Sequence, residues 1–232
     1  MKTLFFDTGP LISITMNHIS WVLQPLKKQF NGSFFITNVV KKELIDKPLR
    51  TKRFKLEAIQ TLQLINSKVL EVKSVSGIDE KTKELLTIAN KCFKCGENYL
   101  TIVHYGEIET LAAVLLLNAD AMVIDEKTTR LLIEDPERLE KNLSHRMHRK
   151  ITIDNKNLKI FSKAVNGVKL IRSTELITVA FDLGLFDNYS INIPNAKKEL
   201  LDALLWGLKL EGCAISEKEI RLISKLEKSK LK

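Results

Sequence analysis

The stretch Y-G-E-I-E-T-L-A-A-V-L-L-L-N-A-D-A-M-V-I-D, Tyr105 to Asp125, holds a helix, a turn and a buried strand in immediate succession. Gly106 opens the helix, and Ile108, Leu111, Ala112 and Leu115 recur at spacings of three and four, so they share one face. Ala121 to Ile124 is a short, uniformly apolar run, too short for a helix and ended by Asp125. A strand with no polar alternation is buried on both faces, which is the signature of a parallel sheet covered by helices.

The same alternation extends back to the N-terminus. Thr3 to Phe6 is a β-rich run ending at Asp7, and Thr8-Gly9-Pro10 then starts a helical stretch to about Leu23. Pro10 suits the first turn of that helix, where its missing N–H costs nothing. Ser33 to Thr37 reads as a second strand, Asn38 as a cap, and Val39 to Ile45 as a helix that Pro48 stops. Helical patterns follow at Lys52 to Asn66 and Asp79 to Cys92, with an extended run near Val69 to Val72. Strands separated by helices imply right-handed βαβ units around a parallel sheet. Ligand crevices in such sheets lie beyond the carboxyl ends of the strands, where Asp7 and Asp125 both fall.

Composition agrees with a folded, ordinary chain. The 232 residues are 44% hydrophobic and 28% charged, which excludes disordered, collagen-like and disulfide-scaffold classes. Lys2 leads into an apolar run that Asp7 ends at once, which is no secretory leader. The longest apolar stretch, Leu111 to Leu117, falls well short of the ~20 residues that span a bilayer. A cytoplasmic protein without a membrane partner is the expectation. Cys92 and Cys95 form a lone C-x2-C with Cys213 distant and His104 the one plausible neighbour, too few ligands for a structural zinc site.

Four sets of acids stand at the ends of these elements: Asp7 in F-F-D-T-G-P-L-I, Glu43 in V-V-K-K-E-L, Glu107 with Glu109 in G-E-I-E-T-L, and Asp125 in V-I-D-E-K. Carboxylates brought together repel and raise one another's pKa unless a cation neutralises them. Mg2+ or Mn2+, which prefer oxygen ligands, would suit such a cluster. Glu107 and Glu109 are two residues apart, so on a regular helix they point to nearly opposite sides, and Glu107 is the better ligand. Glu126 and Asp120 read as surface acids or caps.

In this order, D-T-G-P-L-I, an isolated Glu on the second helix, G-E-x-E, then an apolar strand with Asp, the chain resembles the PIN-domain nucleases. The resemblance covers Met1 to about Leu132, and more loosely I-R-S-T-E-L-I-T-V-A-F-D-L-G-L and G-C-A-I-S-E near the end. It implies a three-layer α/β/α fold with a central parallel sheet and, here, additional C-terminal helices. It also implies that Asp7, Glu43, Glu107 and Asp125 are catalytic and hold Mg2+ or Mn2+, that Glu109 is an outer ligand, and that Thr8 orients metal-bound water. The implied activity is an endoribonuclease leaving a 3′-hydroxyl and a 5′-phosphate, in RNA processing such as that of ribosomal RNA or as a toxin. The implied partners are RNA, a second copy of the chain, and an antitoxin or ribosome-assembly factor. The alternative is a PIN-like RNA-binding module or assembly factor that keeps the fold without turnover. On either nuclease reading, Asp7→Asn and Asp125→Asn should stop cleavage and leave the fold intact or more stable.

Rival chemistries lack their residues. There is no G-x4-G-K-[ST] phosphate loop and no G-x-S-x-G elbow. A haloacid dehalogenase would carry a second Asp where this chain has Gly9.

Beyond the resemblance, charge is concentrated. Lys and Arg exceed Asp and Glu by 37 − 28 = 9. Arg138 to Arg172 carries ten of these cations against Glu140 and Asp154 alone. Such a window binds phosphates without reading bases, so Arg146, Arg149 and Lys150 are assigned to RNA, with His145 and His148 in the same patch. Helical patterns at Ser173 to Leu185, Asn195 to Leu210 and Ser216 to Lys228 complete a single domain over 1–232. Its core is 1–137, its basic segment 138–172 and its C-terminal helices 173–232.

Overall fold

A computed structural model describes residues 2–189 and 192–230. Strand β1 (Lys2–Phe6) leads into α1 (Thr8–Met16), α2 (Leu23–Phe30) and β2 (Gly32–Ile36). Then come α3 (Asn38–Lys41), α4 (Lys55–Asn66), β3 (Glu71–Val72) and α5 (Ile78–Ala89). A hairpin, β4 (Phe93–Cys95) and β5 (Asn98–Tyr99), precedes α6 (Tyr105–Leu116) and β6 (Ala121–Val123). Next are α7 (Lys127–Glu134), α8 (Pro136–Met147), β7 (Ile151–Ile153), α9 (Asn155–Ala164) and β8 (Leu170–Ile171). Helices α10 (Ser173–Asp182), α11 (Ala196–Leu210) and α12 (Glu217–Lys230) close the chain.

The main sheet has the order β3-β2-β1-β6-β8, and every pairing in it is parallel. Alternation along β1 builds a core on each face. Leu4 and Phe6 join the cluster under α1, α2 and the C-terminal helices, whereas Phe5 joins the cluster under α5, α6 and α7. The result is an α/β/α sandwich with extra C-terminal helices, as the sequence led one to expect. Among the described residues no helix is long and apolar enough to cross a membrane.

Several expectations need correction. The first helix does not run to Leu23: it ends at Met16, and His18 takes a left-handed turn before α2 begins. The cap of α3 is Thr37, whose hydroxyl accepts the Val40 N–H at 3.3 Å, and not Asn38. After Lys41 the helix widens into a π turn over Lys42–Asp46, closed by the Lys47 N–H donating to the Lys42 carbonyl at 3.0 Å. The helix expected to reach Cys92 stops at Ala89, and the next residues form β4 of a separate antiparallel sheet, β5-β4-β7. The basic segment is itself fully structured. It supplies α8, β7 and α9, and its end, β8, is an edge strand of the main sheet.

The cysteines also find their place here. All three are free; Cys92 is fully buried, donating to the Ile88 carbonyl at 3.3 Å, with burial and the nearby Asp154 charge pushing its thiol up to about 12. A buried thiol of that kind is inert packing. Replacing Cys92 and Cys95 by Ser should leave the fold unchanged and the protein free of zinc. Stoichiometric zinc in the purified wild type, lost in the double variant, would contradict this.

Candidate functional site

From β1 the chain crosses to β2 and β3 on one side, while β6 and β8 lie on the other. The crevice therefore opens where the strand order reverses, beyond the carboxyl ends of β1 and β6. Asp7 and Asp125 follow those two strands, held in register by the Asp7 N–H donating to the Val123 carbonyl at 2.9 Å. A cleft of about 290 Å3 lies here, and Asp7, Glu43, Glu107, Asp125 and Glu126 all contribute to its wall.

Asp7 sits at the start of α1 and is 5% exposed. Burial, followed by the charges of Glu107 and Glu43, pushes its pKa from 3.8 to about 7, against backbone N–H groups of Thr8 and Gly9 that favour the carboxylate. Glu43 reaches the cleft from the π turn, a distortion common at functional sites because it re-aims one side chain. Its carboxylate lies against the first turn of α6, where a Cβ on Gly106 would stand 3.4 Å from Oε1. The positive end of that helix favours an anion there. Thr8, also on the cleft wall, donates its hydroxyl to Glu43 Oε2 at 2.7 Å. Glu107 accepts from the buried Thr129 hydroxyl at 2.5 Å, and burial raises its pKa. Glu126 caps α7 by accepting the Thr129 N–H at 2.6 Å. This is the cap the sequence led one to expect; its place on the cleft wall had no sequence signal beyond adjacency to Asp125.

Asp125 is different. It is 2% exposed, and donors surround both carboxylate oxygens. Oδ1 accepts the Ser173 N–H at 2.8 Å and faces Cys213 Sγ at 3.2 Å, while Oδ2 faces Ser173 Oγ at 2.7 Å and Ser13 Oγ at 3.1 Å. The Ala214 N–H also donates to the Asp125 carbonyl at 3.2 Å. This carboxylate ties α1, α10 and the α11–α12 connection to the end of β6 while Asp125 also lines the cleft.

Glu109 is not brought to the cleft. It is 4% exposed and turned toward the β2–α3 corner, where the Thr37 side chain and the Val39 N–H hydrogen bond to it and burial raises its pKa. The opposite-sides expectation for Glu107 and Glu109 describes their placement.

Oxygen donors of this kind suit Mg2+ or Mn2+ in chemistry. Among the described residues no three His, Cys, Asp or Glu side chains come together as a group that could hold a metal ion. Glu43 and Glu107 each commit an oxygen to a threonine, and Asp125 commits both of its own.

Arg146, Arg149 and Lys150 are exposed at the end of α8 and in the turn after it. Arg172 belongs to the same basic segment but is spent internally, bonded to Glu175 and, at 2.8 Å, to Glu219.

No protein-family model matches the chain, and no curated protein matches it. Among solved structures the chain is similar to the crystal structure of VapBC2 from Rickettsia felis bound to a DNA fragment from their promoter. The two are 14% identical, with 73% of this chain and 98% of that chain covered at a TM-score of 0.44.

Proposed function

We propose that this chain is a PIN-like RNA-binding protein whose acidic cleft is not built for turnover. The observation that supports this most is the state of Asp125: the acid in the fourth position of the motif is engaged by a buried hydrogen-bond network, and among the described residues no group of three metal-ligating side chains is found. RNA is held instead by the exposed cations after α8, which contact phosphates and release counterions. Fluorescence anisotropy with a labelled single-stranded RNA in EDTA tests this. Binding should weaken linearly with the logarithm of salt, by a slope of about 0.7 per phosphate contact. Absence of binding at low salt would overturn it.

One observation favours the second reading, a metal-dependent endoribonuclease. Asp7, Glu43 and Glu107 share one cleft, and Asp7 is pushed up to about 7 by burial and by the other two. Three such carboxylates are the donors that would take Mg2+ or Mn2+, which supply water activation when bound. RNA cleavage in Mn2+ that stops in EDTA and in Asp7→Asn would favour this reading over the first.

A further inference from the structure

We infer that the cleft between α7 and α8 is a binding site for one phosphodiester of the RNA strand, an inference that rests on the RNA-binding reading above. The cleft measures about 260 Å3. Its floor is Leu131, Leu139 and Leu143, and its polar wall is Lys127, Thr128, Asn142, His145 and Arg146, with no carboxylate among them. Asn142 lines it, and the Asn142 Nδ2 is buried and donates to nothing. A buried N–H without an acceptor is unfavourable, and an anionic oxygen entering the cleft relieves it.

The cations are available for the same ligand. Lys127 and Arg146 are exposed and form no ion pair among the described residues, unlike Arg172 or Lys94. Lys127 also opens α7, at the end of the helix that carries partial positive charge. A phosphodiester offers two non-bridging oxygens with one shared charge, which match an amide N–H together with an ammonium or a planar guanidinium. A polymer is favoured over an isolated anion because Arg149 and Lys150 continue the cationic surface past the end of α8. The cleft also lies next to the acidic one along the chain: Glu126 borders the acidic cleft and Lys127 this one. A strand held by Lys127 and Arg146 thus passes the mouth of the cleft containing Asp7.

Nuclear magnetic resonance titration of the 15N-labelled full chain tests this, first with inorganic phosphate and then with a single-stranded RNA oligomer. Phosphate should shift the Asn142 side-chain amide saturably, and RNA should displace it. The double variant Lys127→Gln with Arg146→Gln, at two exposed positions, should lose the phosphate shift. Its salt slope for RNA should fall by about 0.7, the share of the one single-strand phosphate that the cleft holds. An Asn142 amide indifferent to phosphate overturns the site. RNA binding to the double variant with wild-type affinity and slope overturns it too, while leaving the RNA-binding reading intact. Phosphate binding with no RNA binding to the wild type overturns both the polymeric ligand and that reading. RNA binding that leaves bound phosphate in place assigns the cleft to a small anion and overturns the proposal alone.

Discussion

Asp125→Asn should destabilise the protein by about 2–4 kcal/mol, because several donors converge on its carboxylate and a buried donor left unsatisfied costs about 1–3 kcal/mol. A carboxylate only accepts; an amide offers one oxygen and an NH2 that would face another donor. Whichever way the Asn turns, either the Ser173 N–H or the Ser173 and Ser13 hydroxyls meet that NH2. Ser13 can redirect its hydroxyl to the Gly9 carbonyl, 3.1 Å away, but the Ser173 backbone N–H has no such freedom. For a chain of 232 residues the loss corresponds to a Tm lower by roughly 5–15 °C. Thermal unfolding followed by circular dichroism measures it. A Tm equal to that of the wild type would mean that the network around Asp125 contributes nothing. This reverses the expectation from sequence, which treated Asp125 and Asp7 as equivalent members of one repelling cluster.

Asp7→Asn should do the opposite. The unfolded chain releases the Asp7 proton near 3.8, whereas the folded chain keeps it to about 7. Between those values the folded state binds more protons, so stability falls as pH rises. The contribution is fully present below pH 4 and is lost as pH passes 7. The shift corresponds to a penalty of order 4 kcal/mol above pH 7, at about 1.4 kcal/mol per unit. An amide carries no charge to desolvate and no repulsion from Glu107 and Glu43, and its oxygen can still accept from the Thr8 and Gly9 N–H groups. At pH 8 in EDTA the variant should melt roughly 8–16 °C higher than the wild type. At pH 4 the two should nearly coincide. Equal melting temperatures at pH 8 would show that Asp7 is not held in the unfavourable state described.

Four strands of the parallel sheet were legible from short β-rich or apolar runs between periodic helices, and Ala121 to Ile124 and the Ile108 face of α6 lie where their patterns put them, whereas β8, inside the basic segment, was not. Nor was the small antiparallel sheet. Its strands β4, β5 and β7 are two or three residues each, and β4 pairs with β7 across more than fifty residues of chain, so no local pattern announces them. The π turn that delivers Glu43 was likewise invisible, since K-E-L-I-D has the composition of an ordinary helix end.

The cleft followed from element ends, and Asp7, Glu43 and Glu107 are on it. What each carboxylate does there depends on partners distant in sequence. Asp125 is taken up by Ser173 and Cys213, residues 48 and 88 positions away. An acid after a buried strand can face a ligand or lock the fold, and only the packed C-terminal helices decide which. Glu109 shows the same limit on a smaller scale: helix periodicity gave its direction, but not the Thr37 hydroxyl it meets.

Incubation of the purified protein, in molar excess, with 5′-labelled single-stranded RNA in Mn2+ tests the central claim most directly, with free and bound RNA separated and the bound RNA then run on a denaturing gel. The predicted result is RNA that shifts into complex at low salt and is recovered intact. Shortened labelled RNA with a 3′-hydroxyl at its new end, absent in EDTA and absent with Asp7→Asn, would contradict it.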